Sequence, residues 1–441
     1  MGLLLLVNEF VLNNIASIIA ICLIFSLLFY FFIKNISFGI GDPLVHLSVY
    51  SGFSISTLLL LEPYGSDSDN GRMHIVLGIV LFFLVLYLLE ITNTMSKSPP
   101  AIDTLKENFI EYSNKVFGLI TILAVVLFSV NTYFSLAMYG SIDGTAVIYA
   151  ENRFIEIIKS ASGYVIFFLF GAIISNNKKN NRKILVVIFF LVISAMFAGS
   201  KGYFINYASY FLFGYVFFGF KKLQVSQLLL FLILSLCSVF LLFYFKGYSL
   251  DESIQKFVIR LAANGDAYFH GLSELSIREY KNSVTLFDYL YHPFALIFGD
   301  RGYEHPLGVV INGLINGDFD SGRGPNAAYP LLALVSSDYL FEFYFYIVIL
   351  AMIMYLFRFH SRFIFQKKSR SFFSWYSKIF YIVFSYTIPV IIFMDLGVAL
   401  QSLLGGVLLY LAISIIYLSK HILCAMQSSQ KLTPSKSRIF L

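Results

Sequence analysis

Residues 381–418 read YIVFSYTIPVIIFMDLGVALQSLLGGVLLYLAISIIYL. As one helix this stretch would run to roughly 57 Å, against an apolar bilayer core of roughly 30 Å. Runs this apolar cross a bilayer as helices, because every amide and carbonyl must then be satisfied within its own segment. The stretch therefore predicts two spans, 379–394 and 396–418, joined by a tight turn near Asp395 and Gly397. The flanking segments 358–378 and 419–441 are both basic. An even number of spans between them lets both lie on the cytoplasmic face.

Working outward, apolar runs recur near 11–33, 44–61, 73–93, 117–139, 157–175, 184–198, 203–220, 226–245 and 330–357. Composition agrees with this pattern. The chain has 441 residues, 58% hydrophobic and 13% charged, with 49 Phe and 30 Tyr. Its mean hydropathy is +0.79. Soluble domains carry about 25% charged residues, so an ordinary soluble enzyme is excluded, as is a disordered chain. The expected fold is an all-α polytopic membrane protein of about eleven transmembrane helices. One large, partly helical loop on the outer face, periplasmic if the membrane is a bacterial inner membrane, separates spans 8 and 9. The expected organisation is spans 1–8 in 1–245, the loop in 246–329, spans 9–11 in 330–418 and a basic tail in 419–441.

Charge sets the orientation. With the loop 176–183 (NNKKNNRK) inside, alternation also places 34–43, 94–116, 221–225, 358–378 and the C-terminal tail inside. Those segments hold about two thirds of the 31 Lys and Arg. The N-terminus then falls outside and the C-terminus inside. The net charge of +6 sits mostly in these short loops, which does not point to nucleic acid. No basic residue precedes the first apolar run, so that run reads as a retained span. Cys22 and Cys237 lie inside apolar runs and Cys424 in the tail, a pattern that writes neither a disulfide framework nor a zinc site.

Segment 246–329 is far longer than any other loop, and long loops without a packing reason tend to carry function. It holds Arg260, Arg278, Arg301 and Arg323, with His270, His292 and His305. Acids accompany them: Asp251, Asp266, Asp288, Asp300, Glu304, Asp318 and Asp320. Within Ser253–Leu261, Ile254, Phe257, Val258 and Leu261 form one apolar stripe flanked by Lys256 and Arg260. This predicts a helix on the membrane surface or docked on the bundle. Asp288–Val310 reads as a re-entrant or interfacial segment broken by Pro293, Gly299, Gly302 and Pro306. The blander alternative for the whole loop is a small outer cap with solvated charges.

Outside this loop, Lys201 is an isolated cation in a short outer turn, and Arg153 lies in the outer loop 140–160. Asp395 reads as a helix cap, and His46 and His74 as packing or interface residues. Asp318 and Asp320 form an Asp-x-Asp triplet, but no EF-hand, HExxH, GxSxG or P-loop accompanies it.

An outer site with several Arg or Lys and a few acids suits one chemistry well. Cations bind a diphosphate through charge-assisted hydrogen bonds and stabilise it as a leaving group. A nearby Asp, Glu or His can take the proton of an attacking sugar hydroxyl. Tyr268, Tyr289, Tyr291 and Tyr303 offer an apolar ring and a polar tip to a sugar. No nucleotide or soluble cofactor is required.

At this point the chain resembles a known family, the Wzy-type O-antigen polymerases, which join oligosaccharide repeat units at the bacterial inner membrane. The architecture carries most of the resemblance. Ala198–Phe204 (AGSKGYF) is similar to the family's glycine-serine-base stretch at the end of a span, with Lys201 where an arginine is common. Arg260 and Gly271 match an Arg-x10-Gly spacing described for outer loops, and Gly322–Asn326 (GRGPN) leads into the next span as in related polymerases. The resemblance implies undecaprenyl-diphosphate-linked oligosaccharides as substrates and a chain-length regulator as a partner. It implies diphosphate or substrate binding by Arg260, Arg301, Arg323, Lys201, Arg153 and Asn326. It leaves Asp266, Asp300, Glu304 and His305 as candidates for the base. An O-antigen ligase, a flippase or other polysaccharide transporter, and a glycan acyltransferase remain alternative readings.

Overall fold

The computed structural model describes residues 10–60, 68–93, 247–262, 266–272, 288–291, 307–316, 328–366 and 371–431, with scattered positions elsewhere. Ten helices are found among the described residues, and no strand. They are α1 (Ile15–Ile33), α2 (Pro43–Leu60), α3 (Ser68–Thr92), α4 (Leu250–Ala262), α5 (Asp266–Gly271), α6 (Leu307–Asn316), α7 (Tyr329–Val335), α8 (Leu340–Gln366), α9 (Phe372–Met394) and α10 (Leu396–Lys431). Six are long and apolar enough to cross a membrane: α1, α2, α3 from Gly71, α8 to Ile364, α9 from Phe373, and α10 to Ser419. The chain is thus an all-α, multi-pass membrane protein. The expected spans 117–139, 157–175, 184–198, 203–220 and 226–245 lie outside the described residues apart from isolated positions.

Local chemistry sets the helix ends. Asp42 precedes Pro43, and its Oδ1 accepts the Leu44 amide at 2.8 Å. A carboxylate cap followed by proline at the first helical position starts α2. The turn expected near Asp395 is a single extended residue between α9 and α10. There Asp395 Oδ1 accepts the Val398 amide at 3.1 Å, the cap expected of it. Ser371 caps α9 in the same way, accepting the Ser374 amide at 3.2 Å.

Two differences from the sequence reading concern the C-terminal spans. The run expected as one span over 330–357 is broken. α7 ends at Val335, the polar turn Ser336–Tyr339 follows, and α8 then continues to Gln366. The basic stretches expected as loop and tail are partly helical, with α8 running past Arg358 and Arg362 and α10 extending to Lys431. Arginine and lysine are good helix formers, so a basic stretch need not end a helix.

Packing follows small residues and rings. α1 and α2 form a close hairpin in which a Cβ on Gly52 would collide with Ser26 Oγ and the Cys22 carbonyl. Ser26 Oγ donates to the Ser48 carbonyl at 3.5 Å across this seam. Such close approach lets helices associate in lipid, where apolar burial alone gives little drive. Phe29 stacks on Phe83 with centroids 4.2 Å apart, and Phe82 meets Phe393 at 4.6 Å, which ties α3 to both α1 and α9. Tyr376 and Tyr410 stack at 5.2 Å between α9 and α10. The outward residues of α1, such as Leu23, Ile24 and Leu27, are exposed and apolar, as a lipid-facing surface requires.

Candidate functional site

Helix polarity gives the bundle two ends. At one end Arg358 of α8 pairs with Asp42, and Arg362 reaches Glu90 at 3.2 Å and the Asn35 carbonyl at 3.1 Å. At the other end His74 Nδ1 and Tyr344 OH are 2.8 Å apart, and Leu272 packs tightly on Gly71 with Leu334 nearby. The short helices α5 and α7 gather at this second end.

α4 begins with a reciprocal cap. Glu252 Oε2 accepts from the Ser249 amide at 2.8 Å and from its hydroxyl at 3.0 Å, while Ser249 Oγ accepts from the Glu252 amide at 3.3 Å. These hydrogen bonds hold the exposed Glu252 carboxyl below its ordinary range. The signature Ser-x-x-Glu was legible in the sequence and places the start of α4 ahead of Ser253. Gly247, with φ of 80°, supplies the left-handed turn just before it. The helix rests on α1 and α2, but not through the whole of its expected stripe. Ile259 packs with Val11 and Ile18, and Ser253 is buried, whereas Ile254 is 43% exposed. Phe257 is half-buried and turns to Phe240, with rings 5.7 Å apart.

Beyond α4, most described parts of segment 246–329 are core rather than a solvated cap, with Leu290 and Tyr291 exposed. Tyr268, Leu272, Tyr289, Leu307 and Ile311 belong to the same buried cluster as Phe29, Leu47, Phe82 and Leu331. α5 packs on α2 and α6, and Gly271 is the contact point. A Cβ there would overlap Leu331 and crowd Ile311. The glycine of the Arg-x10-Gly spacing is therefore a packing residue. Tyr289 OH accepts the Leu307 amide at 2.7 Å, which satisfies the free N-terminus of α6 behind Pro306. Tyr329 of α7 donates to the Tyr346 carbonyl at 3.3 Å, which pins α7 alongside α8.

Two titratable groups on α5 are shifted by this burial. The His270 ring is held neutral, its pKa pushed down to about 4 by desolvation. The Tyr268 phenol is raised well above its ordinary value by burial and then by its neighbour Tyr50 of α2. At the same end of the bundle, desolvation pushes the Asp395 carboxyl up to about 6, against the lowering effect of the Val398 and Gly397 amides.

Of the residues expected at the site, Arg260 lies near the end of α4 and Asp266 opens α5. Both helices touch α2. Arg153, Lys201, Asp300, Arg301, Glu304, His305, Arg323 and Asn326 lie outside the described residues. Sequence reasoning missed the full burial of Tyr268 in the core, and it missed Arg72, a half-buried residue on the first turn of the α3 span. Nothing local in the sequence marks either, because each depends on which elements become neighbours. Among the described residues no group of three His, Cys, Asp or Glu could hold a metal ion.

No protein-family model, curated protein or solved structure matches this chain.

Proposed function

We propose that this protein polymerises lipid-linked oligosaccharide repeat units of a bacterial surface polysaccharide. In this reading the end bearing α5 and α7 is periplasmic and the Arg358 end is cytoplasmic. The growing glycan leaves its undecaprenyl diphosphate and joins the nonreducing sugar of a new lipid-linked unit. The bond from the anomeric carbon to the diphosphate oxygen breaks as the bond to the acceptor oxygen forms. The acceptor proton passes to a carboxylate or imidazole, for which Asp266, Asp300, Glu304 and His305 are the candidates. Direct displacement inverts the anomeric centre. Cations from Arg260, Arg301, Arg323, Lys201 and Arg153 would take up the charge of the departing diphosphate, with Asn326 assisting.

The observation that carries this reading is the burial of α5, α6 and α7 in the core formed by α1–α3 and α8. The described helices of the segment with the densest Arg, His and acid content, α5 and α6, are thereby anchored to the spans, as the support of a reaction centre requires. A spacer loop would need no such anchoring.

The test is a polysaccharide ladder on a gel, comparing a deletion strain, its complement, and strains carrying expressed Arg260→Ala or Arg301→Ala. The reading expects a single repeat unit on the core in the deletion and a full ladder in the complement. It expects a lost or shortened ladder in the arginine variants. Loss of even the single unit in the deletion would instead indicate a ligase or a flippase. An unchanged ladder in the deletion would remove the reading.

A further inference from the structure

The bundle takes up only part of the surface of α4. Ser253 is buried, and Ile259 packs with Val11 and Ile18 beside Phe53 and Leu60 of α2. The exposed residues of its first two turns are sorted by polarity. Leu250, 67% exposed, and Ile254 stand one turn apart on one edge, while Asp251, Glu252 and Gln255 make up a polar edge. Water suits the polar edge. The apolar edge is left uncovered by the bundle.

Two separate ties set the level of α4 in the membrane. The first is at its start, which closely follows the apolar run 226–245. The Gly247 amide donates to the Tyr244 carbonyl at 2.9 Å, and the left-handed Gly247 turns the chain there. Tyr244 is 73% exposed, and Lys256 lies over the Tyr248 ring, 3.3 Å from its centroid. Tyrosine and lysine beside an apolar run settle at the headgroup boundary, with rings and stems in the apolar layer and polar tips in water. The second tie is Ile259. Leu60 ends α2 and Val11 precedes α1, so Ile259 meets these two spans at the ends that share one membrane face. α4 has 13 residues and is about 20 Å long. Held at that face by both halves, it runs along the face and does not rise from it.

Lipid is what lies beside it there. Leu12 and Ile19, the chain neighbours of Val11 and Ile18, are exposed and apolar, in line with Leu23, Ile24 and Leu27 farther along the lipid-facing surface of α1. Since α4 touches α1, its apolar edge continues a surface that is already in lipid. Charge gives α4 no other hold on a membrane. Asp251 and Glu252 balance Lys256 and Arg260, so the helix has no net charge to draw it to an anionic surface. Apolar insertion is the mode that fits.

We propose that α4 is an interfacial helix whose Leu250–Ile254 edge is inserted among the upper acyl chains of the leaflet at that face, with its Asp251, Glu252 and Gln255 edge in water. The start of segment 246–329 is thereby fixed at the depth of lipid phosphates. This goes beyond the polymerase reading and stands without it.

The test places an indole on each edge of α4, in the full-length protein in phosphatidylcholine nanodiscs. Trp375 is the chain's one tryptophan and is fully buried, so the wild type supplies the background. Leu250→Trp, Ile254→Trp and Gln255→Trp all alter exposed positions. Lipid brominated near the headgroup end of its chains is expected to cut the added emission of the first two about twofold and to leave that of Gln255→Trp nearly unchanged. Acrylamide in the water is expected to do the reverse. Lipid brominated near the chain ends is expected to quench Leu250→Trp and Ile254→Trp less than the shallow bromine does. Added anionic lipid is expected to change none of this. Quenching of these two by acrylamide and not by bromine would put the edge in water and overturn the inference. Quenching by neither would put it against protein, a second copy included, and would also overturn it. Stronger quenching by the deep bromine, or quenching by bromine only when anionic lipid is present, would overturn it too. None of these outcomes reads the polysaccharide ladder, so the polymerase reading stands or falls separately.

Discussion

Arg358 and Asp42, 316 positions apart in the chain, form a bidentate ion pair with both N–O distances at 2.8 Å. Both side chains are essentially inaccessible, at 1% and 0% exposure. The carboxylate has further duties, since Oδ1 caps the Leu44 amide and Oδ2 accepts the Phe38 amide at 3.2 Å. The guanidinium lies over the Tyr386 ring, 4.6 Å from its centroid. One pair therefore joins the start of α2, the middle of α9 and the last turns of α8.

Removing one member of such a pair leaves a buried charge without compensation, which costs about 3–5 kcal/mol. Asp42→Ala and Arg358→Ala are each expected to lower the yield of folded protein sharply, read by fluorescence-detected size exclusion in detergent. Arg358→Lys is expected to fail too, because an ammonium cannot make the two-pronged contact or stack on Tyr386. The double variant Asp42→Ala/Arg358→Ala should recover part of the loss, since it buries no lone charge. Equal loss in single and double variants would show that the pair does not act as a unit.

Asp395 gives a pH dependence of known sign. Its carboxyl titrates at about 6 in the fold, against 3.8 for an unburied carboxyl. A raised pKa means that the folded state holds the proton more tightly than the unfolded state. Its stabilising contribution is complete below pH 3.8 and is lost as pH rises toward 6. Asp395→Asn keeps an oxygen for the Val398 amide and cannot ionise. The melting temperature of Asp395→Asn minus that of the wild type should therefore rise across this window and then level off. Asp395→Ala should lose the cap itself, about 1 kcal/mol. A difference curve that is flat from pH 4 to 7 would show that the carboxyl is not shifted.

His270 works in the opposite direction. Burial lowers its pKa from 6.5 to about 4, so the folded state releases a proton that the unfolded state would keep. Its contribution is fully present above pH 6.5 and is lost as pH falls through about 4. His270→Gln should remove that slope. The wild type should lose stability relative to the variant on acidification from pH 6.5 to 4, as measured by thermal unfolding in nanodiscs. Parallel curves would place the imidazole in contact with water.

The parts of this fold legible in the sequence are those set by short-range chemistry. The hairpin over 381–418 follows from its length, and its turn at Asp395 from one polar residue in an apolar run. The break at Ser336–Tyr339 was written there too, as a polar tetrad, but the apolar residues on both sides masked it. Long-range partners left no such mark. Arg358 looked like one more cation in a basic loop, because nothing near it announces Asp42. Tyr268 read as a ring offered to a sugar, because the burial of α5 is decided by α2, α6 and α7 and not by its own six residues. For the expected site residues, only the backbone positions of Arg260 and Asp266 on adjacent helices bear on the sequence reading.

Gly271 separates packing from chemistry most directly. It is half of the Arg-x10-Gly spacing that drew attention to the long segment, yet its role follows from space alone. A methyl group there would overlap Leu331 and crowd Ile311. Overpacking of this kind costs about 1–3 kcal/mol, so Gly271→Ala should lower the melting temperature and the folded yield. Leu331→Ala alone should also destabilise, by opening a cavity at a fully buried position. Combined, the two substitutions should cost less than their sum, because the cavity receives the added methyl. A double-mutant cycle on folded yield and melting temperature reads this coupling. Additive losses would mean that Leu331 yields freely to the methyl and that the glycine is needed for something other than its size.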